Sequence, residues 1–303
     1  YYQQTGDVAM RDIIDSWFAD RFAEGATTKN VNTMAPFLTL AYRYEETRNP
    51  AYLPWLETWA EWAMNEMPRT DHGGMQHITL AEENHQQMWD DTLMMTVLPL
   101  AKIGKLLNRP DYVEEAVYQF LLHVQNLMDR ETGLWFHGWN YEGNHNFANA
   151  RWARGNSWLT IVIPDFLELV DLPENNAVRR YLVQVLNAQI AALTKCQDDS
   201  GLWHTLLDDP NSYLEASATA GFAYGILKAV RKRYVGQEYA VVAEKAIKGI
   251  VKHVSPEGEL LQTSFGTGMG SNLDFYREIP LTSMPYGQAM AILCLTEYLR
   301  KFF

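Results

Sequence analysis

Cysteine is nearly absent from these 303 residues. There are two, Cys196 and Cys294. Two cannot build a disulfide framework, and neither has the spacing of a metal ligand, so both read as free buried thiols of a reducing, cytoplasmic compartment. No run of about 18 apolar residues is present, which leaves no membrane-spanning helix to expect. No signal peptide stands at the start. Positive charge is scarce too. Against 37 Asp and Glu there are 25 Lys and Arg, a formal net charge of −12. Without a basic cluster the chain is no match for nucleic-acid phosphates. The densest group, Arg231–Arg233, falls at an expected helix end, where cations favour the helix dipole. An acidic ligand would need a local cation, which makes any Arg in a cleft worth attention.

Aromatic residues, by contrast, are plentiful, with ten Trp and sixteen Tyr. They serve a large core equally well as a sugar-binding cleft, where flat rings pack on C–H faces.

An internal repeat organises the chain. Five times an apolar segment ends at a short polar turn and a second amphipathic segment begins. Leu106-Leu107-Asn108-Arg109-Pro110 and Tyr234-Val235-Gly236-Gln237 are two of these junctions. Asn, Gly and Pro are expected where one helix stops and another starts. The second helices carry apolar residues at helical spacing, as in Ile13, Ile14, Trp17, Phe18 and Phe22. Longer loops follow, over about 68–87, 130–153, 198–212 and 255–283. Three share a phrase around Gly73-Gly74-Met75, Gly133-Leu134-Trp135 and Gly201-Leu202-Trp203, and Gly258-Glu259-Leu260 is a weaker fourth. Apolar inner helices are expected over about 30–46, 88–107, 155–171, 213–232 and 284–302. All long loops then gather at one end. Closed into a ring, the helix pairs form an all-α barrel in one domain over residues 1–303; left open, they form a superhelix. The first residues, Tyr1 to Asp7, read as the tail of an inner helix, so an N-terminal segment is expected to be missing.

Chemistry is expected where the loops meet the inner-helix starts. Met88-Trp89-Asp90-Asp91-Thr92 places two carboxylates at one such start. They could cap the helix. One, desolvated beside Trp89, could instead act as a general acid. Trp135-Phe136-His137-Gly138-Trp139 adds a histidine. Trp152-Ala153-Arg154-Gly155-Asn156-Ser157-Trp158 sets an Arg between two indoles, where it could clamp a carboxylate or merely stack. His72, His77 and His85 are too loosely spaced for zinc. Gly266-Thr267-Gly268-Met269-Gly270 lacks the ending of a phosphate loop and reads as a flexible cleft-mouth loop. Ser212 and Glu215 have the spacing of a capping box.

Taken together and in this order, these three phrases resemble glycoside hydrolase family 105, the unsaturated rhamnogalacturonyl hydrolases. More distantly they resemble the family 88 unsaturated glucuronyl hydrolases. The likeness runs over essentially the whole chain. It implies an (α/α)6 barrel of the six-hairpin glycosidase type, with no metal and no cofactor. The implied substrate is an oligosaccharide ending in a 4,5-unsaturated uronic acid, of pectin or rhamnogalacturonan type. Its double bond is hydrated, and the ring then opens and releases the neighbouring sugar. The resemblance gives Asp91 the acid/base role. His137 and Arg154 would contact the uronate, and Trp152 and Trp158 would frame it. Trp89, His77, Trp139 and Asn156 complete the expected binding set. Many relatives carry a second carboxylate at an earlier inner-helix start, where this chain has Asn30, which can hydrogen-bond but not act as a base. A monomer or homodimer is expected. Two other readings stand beside the hydrolase: a sugar epimerase on the same fold, disfavoured by inner helices poor in His, and a non-catalytic carbohydrate-binding barrel.

Overall fold

Helix starts follow their caps. Asp7 accepts from Ala9 N to open the 17-residue helix Val8–Glu24, which follows the short helix Tyr2–Thr5. In chain order these two are α1 (Tyr2–Thr5) and α2 (Val8–Glu24), followed by α3 (Val31–Met34), α4 (Pro36–Thr47) and α5 (Leu53–Glu61). Then come α6 (Leu98–Leu106), α7 (Pro110–Leu127), α8 (Ala153–Val170) and α9 (Ala177–Cys196). The last are α10 (Ala216–Arg231), α11 (Ala240–Val251), α12 (Leu273–Arg277) and α13 (Pro285–Leu299). Pro opens α4, α7 and α13, where its missing N–H costs nothing. The computed structural model describes residues 1–25 and 27–302.

The inner helices α4, α6, α8, α10 and α13 pack side by side in that order. Helices α4 and α13 face a common cavity with Tyr1 and Gln3 at the opposite end from the loops. Outer helices cover the ring. Helix α7 buries Tyr112, Ala116, Phe120, Val124 and Leu127, one stripe three or four residues apart. Phe120 stacks on Phe166 of α8 at 4.2 Å, a pair worth about 1 kcal/mol beyond its burial. Helix α8 is buried almost all round, as an inner helix must be. Helix α2 departs from expectation. Its packed stripe is Ile14, Phe18 and Phe22, with Phe22 stacked on Trp55 at 4.6 Å, while Ile13 and Trp17 are exposed. A helix touching its neighbour along one narrow line cannot bury both flanks.

Pro164 sits inside α8. It has no N–H for the Thr160 carbonyl. Gly225 of α10 lies against that carbonyl; a Cβ there would come to 2.0 Å. The freed oxygen is therefore covered by backbone of the next inner helix.

The repeated Gly phrases are one structural device. Gly73, Gly133, Gly201 and Gly258 all have φ between 80° and 94°. Each N–H closes a turn, as in Gly133 N to Asp129 O at 2.8 Å and Gly201 N to Asp198 O at 2.9 Å. A side chain could not follow this left-handed path cheaply.

Three two-stranded antiparallel sheets stand among the loops, and periodicity predicts none of them. They are β1 (Gln87–Trp89) with β2 (Gly138–Asn140), β3 (Trp203–His204) with β4 (Leu214–Glu215), and β5 (Thr263–Ser264) with β6 (Leu281–Thr282). The inner helix expected from residue 88 is therefore extended through Trp89. It turns helical at Asp91 and runs through a wide π-turn, Leu93–Val97, before α6. Pro99 explains the widening, because it cannot donate to the carbonyl of residue 95.

Candidate active site

Pairing of β1 with β2 builds the floor of a cavity at the loop end. Asp90 N donates to His137 O at 3.0 Å, which extends the ladder by one bond and brings Asp90, Asp91 and His137 together across 46 residues of chain. His137 Nε2 lies 3.5 Å from Asp91 Oδ2. Its Nδ1 meets the Tyr276 hydroxyl at 2.8 Å. The imidazole is 1% exposed and packs against Trp89 and Trp152, with ring centroids at 5.3 and 4.4 Å. His77 stacks on Trp89 at 4.1 Å, and its Nδ1 meets Thr92 Oγ1 at 2.8 Å.

Neither carboxylate caps the helix. Asp90 is fully buried, and neither of its oxygens has a hydrogen-bond donor among the described residues. It lies against Gly155 of α8, where a Cβ would come within 2.1 Å of Oδ2. Burial, then the charge of Asp91, pushes the Asp90 carboxyl well above the usual range. Burial raises Asp91 as well. The imidazole of His137 facing it, and then that of His77, outweighs that and leaves Asp91 low. Of the two, Asp90 is the carboxyl that favours its protonated form. Burial lowers His77 to about 4, so it is neutral at pH 7. Ligand atoms of Asp90, Asp91 and His137 lie within 4.8 Å of one another, a spacing that could also hold a metal ion.

The cavity above this floor measures about 730 Å³. Trp89, Trp152, Trp158 and Tyr286 give it aromatic walls, and Asp91, His77 and Arg154 line it. The indole N–H groups of Trp152 and Trp158 have no partner among the described residues. Thr79, Glu82 and Asn84 form one rim, and Gly266 to Met269 the other, as expected of that loop.

Arg154 is held more firmly than a free clamp. It is sandwiched between Trp152 and Tyr286, with its guanidinium 4.6 Å from each ring centroid. Nη1 donates to the Ser264 carbonyl at 2.8 Å and to its hydroxyl; Nη2 donates to Phe265 O at 3.2 Å and Thr267 Oγ1 at 2.9 Å. Those bonds use all four Nη protons, so a bidentate fork to a carboxylate is not on offer. Glu215, 1% exposed, lies 3.8 Å away and balances the charge. What Arg154 brings to the cavity is a fixed positive field and a strut under the 264–267 loop.

Four expected binding residues lie outside the lining: His137 is buried beneath the floor behind Asp91, and three more are placed elsewhere. Asn30 caps α3, accepting from Asn32 N and Thr33 N at 3.0 and 3.1 Å, and the cavity is lined by Asn32 instead. Asn156 is fully buried and ties α8 to the neighbouring loop through Trp135 N at 2.8 Å and Trp135 O at 2.7 Å. Trp139 sits outside the cavity lining, packed against the hydrophobic core and edge-on to Tyr141 with ring centroids 6.3 Å apart. Glu215 caps α10 itself, accepting from Ala218 N at 2.5 Å, whereas Ser212 bonds Leu206 and Asp209. Sequence reasoning missed Tyr276 and Tyr286. Both come from the last loop and helix, and only their place in the loop-to-helix junction could have flagged them. Cys196 and Cys294 are both free.

The description Glycosyl Hydrolase Family 88 matches residues 1–302. The unsaturated rhamnogalacturonyl hydrolase YesR of Bacillus subtilis is 30% identical over 302 residues, 99% of this chain and 86% of that protein. A crystal structure described as a possible member of the GH105 family, from Salmonella enterica serovar Paratyphi A, is 91% identical with a TM-score of 0.99. The match covers all of this chain and 80% of that one. A similarly described structure from Klebsiella pneumoniae is 89% identical, again with a TM-score of 0.99 and coverage of 100% and 80%. The all-α barrel of the six-hairpin glycosidase type is thereby shared.

Proposed function

The chain belongs to Glycosyl Hydrolase Family 88, and from that premise we propose that this glycoside hydrolase removes a 4,5-unsaturated uronic acid from lyase-made oligosaccharides by hydrating its double bond. The observation that carries this reading is the floor: two adjacent carboxyls, one buried and one lining the cavity, beside an imidazole and under indole walls. The proton held by the carboxyl pair reaches C4 through Asp91, and the ring oxygen shares the charge left at C5. Water adds at C5 as Asp91, now a carboxylate, takes its proton. The hemiketal opens and the neighbouring sugar leaves. No metal is needed to balance these steps. Proximity and acid–base work supply the rate.

The uronate carboxylate is recognised by the fixed charge of Arg154, with the rings of Trp152 and Trp158 framing the sugar. His77, neutral and stacked on Trp89, presents a polar edge to the sugar hydroxyls. Arg154 is the one Lys or Arg in the lining, and Glu82 stands at the rim. The leaving sugar is accordingly uncharged, as in rhamnogalacturonan fragments, and a sulfated sugar there is disfavoured. The reading places the enzyme in the cytoplasm, acting on imported fragments; among the described residues no helix is long and apolar enough to cross a membrane.

The test is loss of ultraviolet absorbance of the conjugated double bond across a panel of unsaturated disaccharides. Loss on a member with a neutral leaving sugar is expected. No loss on any member, with folded protein, overturns the reading.

A further inference from the structure

We propose that Asp90 is the second carboxyl of this site, a buried proton holder that supplies Asp91 with the proton it delivers and takes it back after water has added. The position that would offer a second carboxylate from an earlier helix is Asn30, and that side chain is occupied as a helix cap. Asp90 is fully buried, both its oxygens lack a donor, and it is an immediate neighbour of the reacting acid.

An unpaired buried carboxylate is costly enough that the group takes up a proton instead. As two anions, Asp90 and Asp91 offer each other only acceptors. With one proton between them, Asp90 donates to Asp91, and an orphaned group gains a partner. The charged and titratable groups around the pair agree with this placement. His137 faces Asp91 at 3.5 Å, His77 adds to the field there, and Tyr276 lies behind His137. Arg154, the cation nearest Asp90's side, is already balanced by Glu215 at 3.8 Å. The imidazoles thus face Asp91 and burial falls on Asp90, whose carboxyl is raised while that of Asp91 is lowered. Gly155 makes the arrangement possible, because any side chain there would fill the space Asp90 uses.

The proton count closes over one turnover. Asp90 starts protonated and Asp91 ionised. The Asp90 proton passes to Asp91, and from Asp91 to C4, which leaves both carboxyls ionised. The water that forms the C5–O bond returns one proton to Asp91, and the pair shares it back to Asp90. Asp90 touches Asp91 rather than substrate, so it is a positioning residue.

The kinetic arm rests on the proposed hydration reaction; the spectroscopic arm does not. Asp90→Asn keeps the shape and can donate to Asp91 but cannot release a proton. The expected result is a kcat about 10²-fold lower with KM little changed, and a pH optimum moved towards acid, where Asp91 can protonate alone. A wild-type kcat and pH profile in Asp90→Asn overturns the proposal. Independently of any substrate, difference infrared spectra should show a protonated-carboxyl band at pH 7 in the wild type that is missing in Asp90→Asn. If that variant does not fold, the band is followed in Asp91→Asn, where its titration must move to lower pH; an unmoved titration overturns the proposal. One equivalent of divalent metal retained on dialysis by the wild type and lost in Asp90→Asn would also overturn it, in favour of an ion bridging the pair.

Discussion

The Tyr276 hydroxyl lies 2.8 Å from His137 Nδ1 and receives the Gly270 N–H at 3.2 Å. With Gly270 donating into its oxygen, Tyr276 gives its own proton to Nδ1. With Nδ1 accepting from that hydroxyl, the His137 ring presents an Nε2–H to Asp91. Burial raises Tyr276, so the hydroxyl keeps its proton across the working range. Tyr276→Phe should therefore lower kcat roughly tenfold with KM nearly unchanged, because the ring loses its tautomer control while the cavity walls remain. Steady-state kinetics on an unsaturated disaccharide checks this, and equal kcat values would remove Tyr276 from the relay.

Asp91→Asn should fold as the wild type does and lose double-bond hydration by about 10²-fold or more. Absorbance decay, with a melting curve as the fold control, reads both. Retained turnover would take Asp91 out of the chemistry.

Arg154→Ala should cost stability as well as binding. It leaves Glu215 buried without its cation and cuts four hydrogen bonds to residues 264–267. Loss of one partner of such a pair costs roughly 3–5 kcal/mol. Denaturant unfolding should show that loss, and hydrogen exchange should rise across the 264–271 loop. A variant with raised KM and unchanged stability would make Arg154 a ligand alone.

Gly155→Ala sets two effects against each other. In a helix, Ala is favoured over Gly by about 1 kcal/mol. Here the new methyl would collide with the Asp90 carboxyl at 2.1 Å, close to rigid surroundings. The collision wins, so the variant should be less stable than the parent and its pH profile should shift. A gain in melting temperature with unchanged kinetics would show that Asp90 can move aside freely.

Stability should fall with acid before the ordinary carboxylates titrate. Burial lowers His77 and His123 to about 4 from an unfolded value near 6.5. Both bind protons more readily when unfolded, so their contribution is full above about pH 6.5 and is lost as pH falls towards 4. Each can remove on the order of 3 kcal/mol across that window. Melting temperatures from pH 7 to 4.5 measure the slope, and His123→Gln should flatten it. A flat profile in the wild type would contradict the burial argument.

Much of this was legible from local pattern. The Gly turns at 73, 133, 201 and 258 are backbone requirements, and a backbone requirement writes itself into the chain as a fixed residue type. Asp91 and His137 were legible as loop-to-helix residues, and the ladder between β1 and β2 puts them together. What escaped was long-range or a matter of facing. Tyr276 reaches His137 across 139 residues, and no periodicity links the two. Asn30 and Asn32 differ only in which side of a helix start they occupy. Asn156 looks like a ligand because it is polar in an aromatic phrase, yet a fully buried amide must satisfy itself with backbone, and it does. Strands of two or three residues are too short to leave an alternating signature.

The short ladders divide the loops into anchored and unanchored stretches. Residues 87–89 and 138–140 are locked to one another, and with them Asp90 and His137. Residues 79–85 and 266–271 lie outside these ladders and supply the rim. Insertions and exchanges in those two stretches can remodel the entrance without disturbing the reacting groups. An evolutionary lineage, or an engineer, therefore has a place to alter which sugar is accepted while inheriting the reaction intact.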